Sequence, residues 1–161
     1  IGNAIIPDKA EGSLIRDSNG VVIGSHLIAQ GFSRPEYIWP RPSAVDYNAS
    51  ASGGSNLSPT NPVLKERIEQ SLANFQSDEY KTVPTELVLA SGSGLDPHIT
   101  LEGALFQAAR VAKARGVDSL YIRELINTTA SVANPLSGQA SLINVLELNM
   151  ILDRDCPVKK Q

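Results

Sequence analysis

Short apolar runs broken by turn residues open the chain. Leu14-Ile15-Arg16 and Val21-Val22-Ile23 flank Asp17-Ser18-Asn19-Gly20. An Asn-Gly pair between apolar runs predicts a β-hairpin, because both residues tolerate positive φ. The second run reaches toward Leu27 and Ile28. Residues 34–62 lose the pattern. They hold Pro35, Pro40, Pro42, Pro59, Pro62, the pair Gly53-Gly54 and many Ser and Asn, and so read as loop. A loop of this length in a compact domain is functional or disordered. Tyr37, Ile38, Trp39 and Tyr47 favour an ordered loop, since large side chains can anchor it to the body.

Helical spacing begins after Asn61, a good N-cap, with Pro62 at the first helical position. Leu64, Ile68, Leu72 and Phe75 form one apolar stripe. Asp78 to Lys81 is a polar break, and Glu86 to Ala90 reads as a buried strand. A tight Gly-rich turn, Ser91 to Thr100, then leads to a second helix capped by Thr100 and closed by Gly116. Ala104, Ala108 and Ala112 in that helix predict close packing against a neighbour. Asp118 caps a third helix with Ile122, Leu125 and Ile126 inside. The charge-free run from Leu125 to Leu146 is broken by Pro135 and Gly138, so it is loop rather than membrane segment. Leu146, Leu148 and Met150 alternate with Glu147 and Asn149, which argues strand. Ile143 and Val145 are out of phase, requiring a bulge or a change to helix after Asn144. The expected fold is α+β: a small mixed sheet with about three helices and long ordered loops.

Composition narrows the class. A chain of 161 residues, 42% hydrophobic, is one domain over 1–161 with enough apolar content for its own core. A single cysteine, Cys156, excludes an intrachain disulfide framework. That cysteine with two histidines, His26 and His98, cannot build the usual structural zinc site. A net charge of -3 advertises no basic face, so nucleic acid is not an expected partner. No apolar run approaches the ~18 residues of a spanning helix.

Catalytic patterns are mostly absent. No Gly-Lys dipeptide exists, so there is no P-loop. Ser93 fails the Gly-x-Ser-x-Gly nucleophile pattern at both ends. A Ser93–His98–Asp96 set is conceivable by order, but Asp96 and His98 lie too close in sequence for an aligned relay. The turn Ser91-Gly92-Ser93-Gly94 has two readings. Its backbone N–H groups can cradle an anion before a helix, or its polar side chains can simply satisfy the turn. Arg41 likewise either anchors the aromatic loop or faces a partner. Leu136-Ser137-Gly138-Gln139 is similar to the Leu-Ser-Gly-Gly-Gln motif of ABC transporters but lacks one glycine, a match easily met by chance.

Two long blocks carry a specific resemblance. One runs from Arg41-Pro42-Ser43-Ala44 through Tyr47-Asn48 to Ser52-Gly53-Gly54-Ser55-Asn56-Leu57 and Asn61-Pro62. The other is Ala90 to Ile99, followed by Gln107, Arg110-Val111-Ala112 and Ala114-Arg115. Together they closely resemble the C subunit of the Kdp potassium-transporting P-type ATPase of bacteria and archaea. Gly24-Ser25, Leu27-Ile28, Gln30 and Asn144 to Asn149 fit the same family. Thr100 replaces the usual serine, and Ala29 stands where glycine is common. The resemblance implies a non-enzymatic accessory subunit of a K⁺ import complex in the cell membrane. A channel-like subunit and an ATP-hydrolysing subunit would be its partners. A single N-terminal membrane helix would lie outside these residues, and the soluble domain on the extracytoplasmic side. It also implies a catalytic chaperone that raises the nucleotide affinity of the ATPase subunit. Docking is expected through Arg41, Pro42, Ser43, Tyr47, Gly53, Gly54, Ser55, Asn56, Asp96 and His98. No firmly bound cofactor or metal is expected. If ATP binds directly, Ser91, Gly92, Ser93, Gly94, Gln107 and Arg110 are the places for it.

Overall fold

The computed structural model describes residues 7–17, 19–75, 82–130 and 141–158. The polar break at 78–81 and the 136–139 motif fall outside these residues. In chain order the elements are α1 (Pro7–Ala10), β1 (Leu14–Arg16), β2 (Val22–Ser25), α2 (Pro62–Asn74), a 3₁₀ turn (Thr85–Leu87), β3 (His98–Thr100), α3 (Leu101–Arg115), α4 (Ser119–Thr129), β4 (Leu142–Asn144) and α5 (Val145–Asp155). The class is α+β. Among the described residues the strands form two separate antiparallel pairs, β1–β2 and β3–β4.

The β3–β4 pair organises the core. His98, Ile99 and Thr100 face Asn144, Ile143 and Leu142. Each strand feeds a helix through its own last residue. Thr100 caps α3, its Oγ1 accepting from Gly103 N at 3.1 Å. Asn144 caps α5, its Oδ1 accepting from Leu146 N and Glu147 N. The chain therefore changes to helix after Asn144, and the alternation at 146–150 does not mark a strand. Val145, Leu148, Asn149 and Leu152 are buried at helical spacing, which decides the period.

The alanines of α3 do what their size allows. Ala104, Ala108 and Ala112, with Val111, lie within the core among Ile122 and Ile126 of α4 and Ile143, Leu148 and Leu152. Gly116 ends α3 at φ +68, where a side chain would be strained. Asp118 caps α4 as expected, accepting from Leu120 N at 2.7 Å.

One further expectation changes. Residues 86–90 are not a strand: Leu87 N bonds to Pro84 O, while Val88 N and Leu89 N both bond to Thr85 O. Pro84, at φ -52, presets a turn and leaves its carbonyl to the 3₁₀ helix. The stripe on α2 forms a helix with the expected Asn61 cap, but none of its residues is fully buried. It is pinned mainly at its end, where Phe75 packs on Trp39 and Phe106. The β1–β2 hairpin forms with a register irregularity between Ile15 and Arg16, and Gly20 adopts φ +78.

Candidate functional site

The long loop is ordered because polar side chains of α3 and α5 grip its backbone. Gln107 of α3, 1% exposed, accepts from Trp39 N at 2.8 Å and donates to Trp39 O at 3.0 Å. Asn149 of α5 does the same for Ile38, at 2.8 and 2.9 Å. Arg110 donates to Pro35 O, Tyr37 O and Gln107 Oε1, and its guanidinium lies 3.7 Å over the Trp39 ring. Burial pulls that guanidinium down to about 10, still charged at neutral pH. Arg115, its side chain fully buried, donates to Glu36 O, Leu152 O, Cys156 O and Asp153. Loop backbone that would be solvated is thus satisfied inside the fold.

The next stretch, residues 41–56, interlocks with the turn 90–96. Ser91 N donates to Pro42 O at 3.1 Å, and Gly53 N donates to Ser93 O at 2.8 Å. Ser43 is the hub: its Oγ donates to Gly94 O at 2.6 Å and accepts from Val45 N and Tyr47 N. This closeness demands glycine at position 94 and leaves little room at 54. A Cβ on Gly94, at φ +69, would stand 2.7 Å from Val45 and 2.9 Å from Gly53 O. One on Gly54 would stand 3.1 Å from Gly92 O. Asp46, Tyr47 and Asn56 hold positive φ of 52°, 56° and 51°. For a residue as bulky as Tyr47 this is strained, and the surrounding bonds hold it there. Its hydroxyl donates to Arg41 O at 2.9 Å. Burial, reinforced by Asp46, pushes the phenol up to about 12.

One face of the platform carries charge. Arg41 Nη1 lies 3.6 Å from Asp96, and Asp96 also lies 3.4 Å from His98 Nδ1 and accepts from His98 N at 3.0 Å. Gly92 and Ser93 crest the turn and are exposed, whereas Ser91 and Gly94 are buried beneath them. Ser55 is half-buried and Asn56 exposed. Tyr47 also borders an open, mainly apolar groove of about 540 Å³ lined by Leu14, Val22, Leu27 and Ile28.

The candidates therefore divide. The docking residues and the Ser91–Gly94 turn form one body. Gln107 and Arg110 belong to the loop clamp, and their hydrogen bonds go to residues 35–39 and to α3. The turn also does not enter a helix directly, because β3 intervenes. The anion at the α3 N-terminus is the chain's own: Glu86 accepts from Thr100 N at 3.0 Å and from Thr100 Oγ1 at 2.5 Å. A Cβ on Gly103 would collide with Glu86 Oε1. Ser93 Oγ accepts from Leu95 N, and among the described residues no hydrogen bond joins Ser93 to His98. Among those residues no His, Cys, Asp or Glu group is arranged to hold a metal, and no helix is long and apolar enough to cross a membrane.

The family model described as "KdpC: K+-transporting ATPase, c chain" matches residues 1–154. The chain belongs to the KdpC family. It is 47% identical to the potassium-transporting ATPase KdpC subunit of Parvibaculum lavamentivorans over 96% of this chain and 82% of the relative. Identity to the corresponding subunit of Trichlorobacter lovleyi is 48%, over 95% and 83% of the two chains. For Methanosphaerula palustris it is 46%, over 95% and 82%. The chain is thus a subunit of a K⁺-transporting ATPase complex, whose other subunits are its partners.

Three residues of the site escaped sequence reasoning: Asn149, Arg115 and Glu86. Asn149 carries a readable signal, since it lies four residues after Val145 on the buried face of α5. A polar residue in that phase must bond inside the core. Glu86 and Arg115 have no comparable local signal.

Proposed function

We propose that the chain is a non-catalytic accessory subunit that docks on its K⁺-ATPase partners through the interlocked loops 41–56 and 90–96. One observation carries this reading. The irregular backbone of both loops is held by interlocking hydrogen bonds and by close approaches at Gly54 and Gly94, and it presents exposed, mostly polar surface with the Arg41–Asp96 pair on one side. Ordering such backbone costs conformational entropy, and a prepaid geometry favours recognition. The apolar groove beside Tyr47 continues the same face. The channel-like subunit is the docking partner in this reading, on the extracytoplasmic side of the cell membrane. The subunit is anchored there by one membrane helix, as family resemblance implies.

Its chaperone action on nucleotide affinity then works through linkage between subunits. Direct ATP binding by Gln107 and Arg110 would require both to release residues 35–39. That engagement favours the indirect route.

Gly92 provides the test. Nothing lies within 4 Å of a Cβ placed there, so Gly92→Glu leaves the interlock intact while adding bulk and charge at the crest. The variant should fold normally and lose association with the complex. Full assembly and transport by Gly92→Glu would overturn the docking reading. Calorimetric titration of the isolated chain with millimolar ATP should give no heat. Saturable binding that Gly92→Glu or Arg110→Lys weakens would favour direct nucleotide binding instead.

A further inference from the structure

Arg41 of the long loop and Arg110 and Arg115 packed against it are satisfied to different degrees. Arg110 makes bonds of 2.6, 2.7 and 3.0 Å, and Arg115 makes four of 2.8 to 2.9 Å. Arg41 has nothing comparable. Its Nη2 reaches Ala90 O at 3.5 Å, the edge of a hydrogen bond, and its Nη1 stands 3.6 Å from Asp96. Among the described residues its Nε is buried without a hydrogen-bond partner, a condition Arg110 Nε shares only as the remainder of a well-bonded group. A guanidinium has five donors in a fixed fork suited to a carboxylate. Arg41 leaves that fork mostly unused, yet the platform holds its backbone through Tyr47. Asp96 does not complete it: one carboxylate oxygen faces His98 N and Nδ1, and the other stands 3.6 Å from Arg41 Nη1.

We infer that Arg41 is a receptor for a carboxylate side chain of a partner subunit, with Asp96 as the placeholder that the incoming carboxylate displaces. This rests on the docking reading above and adds the chemistry of the contact. Arg41 keeps 28% of its side chain exposed, so the partner group reaches it from solvent. A bidentate, charge-assisted pair replaces a long single contact, and Asp96 remains with His98.

Two substitutions of opposite effect test it, with the chain co-expressed with the other subunits of its complex. Arg41→Ala should weaken association roughly 10- to 100-fold, in the range for loss of one partner of an interfacial charge pair. Asp96→Asn keeps the oxygen that His98 N needs but removes the competing charge, so association should be retained or strengthened. Thermal unfolding of both variants identifies any loss of fold. If Asp96→Asn weakens association as much as Arg41→Ala, the pair is only a brace and the inference fails. It fails too if Arg41→Ala assembles normally while Gly92→Glu does not, which leaves docking standing. Competition by millimolar ATP that Arg41→Ala abolishes would make the anion a phosphate and overturn the carboxylate assignment.

Discussion

Gln107 holds the two peptide groups that flank the Trp39 Cα, its amide accepting from Trp39 N and donating to Trp39 O. It behaves as a single rung of β-ladder supplied by a side chain. Asn149 supplies the adjacent rung to Ile38 from the opposite helix. Residues 38 and 39 are thus paired as a strand would be, without a neighbouring strand.

Gln107→Leu tests that rung. The substitution leaves both polar groups of Trp39 unpaired in the interior, at about 1–3 kcal/mol each. At about 2–4 °C per kcal/mol for a chain this size, the melting midpoint should fall by roughly 4–24 °C. An unchanged midpoint in calorimetry would show that the loop is held elsewhere.

Arg115→Met should be among the most damaging single changes. It strips the donor from three backbone carbonyls and from Asp153. Asp153 is half-exposed and can be solvated, so the cost lies in the backbone carbonyls left without their donor, about 1–3 kcal/mol each. Urea unfolding would read this as a lowered midpoint with little change in slope. A loss below about 1 kcal/mol would mean that other donors take over.

Glu86 and Gly103 should be coupled. Glu86→Ala removes the carboxylate bonded to Thr100, costing about 2 kcal/mol by the value of charged hydrogen bonds. Gly103→Ala forces that same carboxylate aside. The double variant should therefore be less destabilised than the sum, by about 0.5–3 kcal/mol. Strict additivity in a double-mutant cycle would refute the contact.

Tyr47 sets an alkaline limit. Its phenol sits at about 12 in the folded chain against an ordinary 10.0. Below pH 10 both states keep the proton and the contribution is fully present. Between 10 and 12 the unfolded chain ionises first, so stability falls as pH rises. Tyr47→Phe lacks this contribution and loses the bond to Arg41 O, about 1 kcal/mol. The stability gap between the two proteins should narrow from pH 10 to 12. A gap constant across that range, measured by chemical unfolding, would contradict the burial of the phenol.

What was readable in advance was local. Asn61, Thr100 and Asp118 cap helices because a short polar side chain bonds an amide two or three residues on. The alternation at 146–150 misled because four or five residues hold too few periods to separate strand from helix. The loop clamp was hidden because Gln107 and Trp39 lie 68 residues apart, and Asn149 and Ile38 lie 111 apart. Gln107 and Arg110 stood out as chemically capable residues. Only their neighbours reveal that this capacity is spent on residues 35–39.

Sequence alone determined the family, the α+β class, the starts of α2, α3 and α4, and the blocks 41–56 and 90–99 as the distinctive stretches of the chain. The family follows from the resemblance of two long blocks, and the rest from residue type and short-range spacing. Tertiary structure decided how the blocks are used. It joined the two loops into one platform, filled the α3 N-terminus with Glu86, and left Arg41 as the poorly satisfied cation on the exposed side. Satisfaction of a buried polar group depends on which distant backbone reaches it, and spacing along the chain carries no record of that approach.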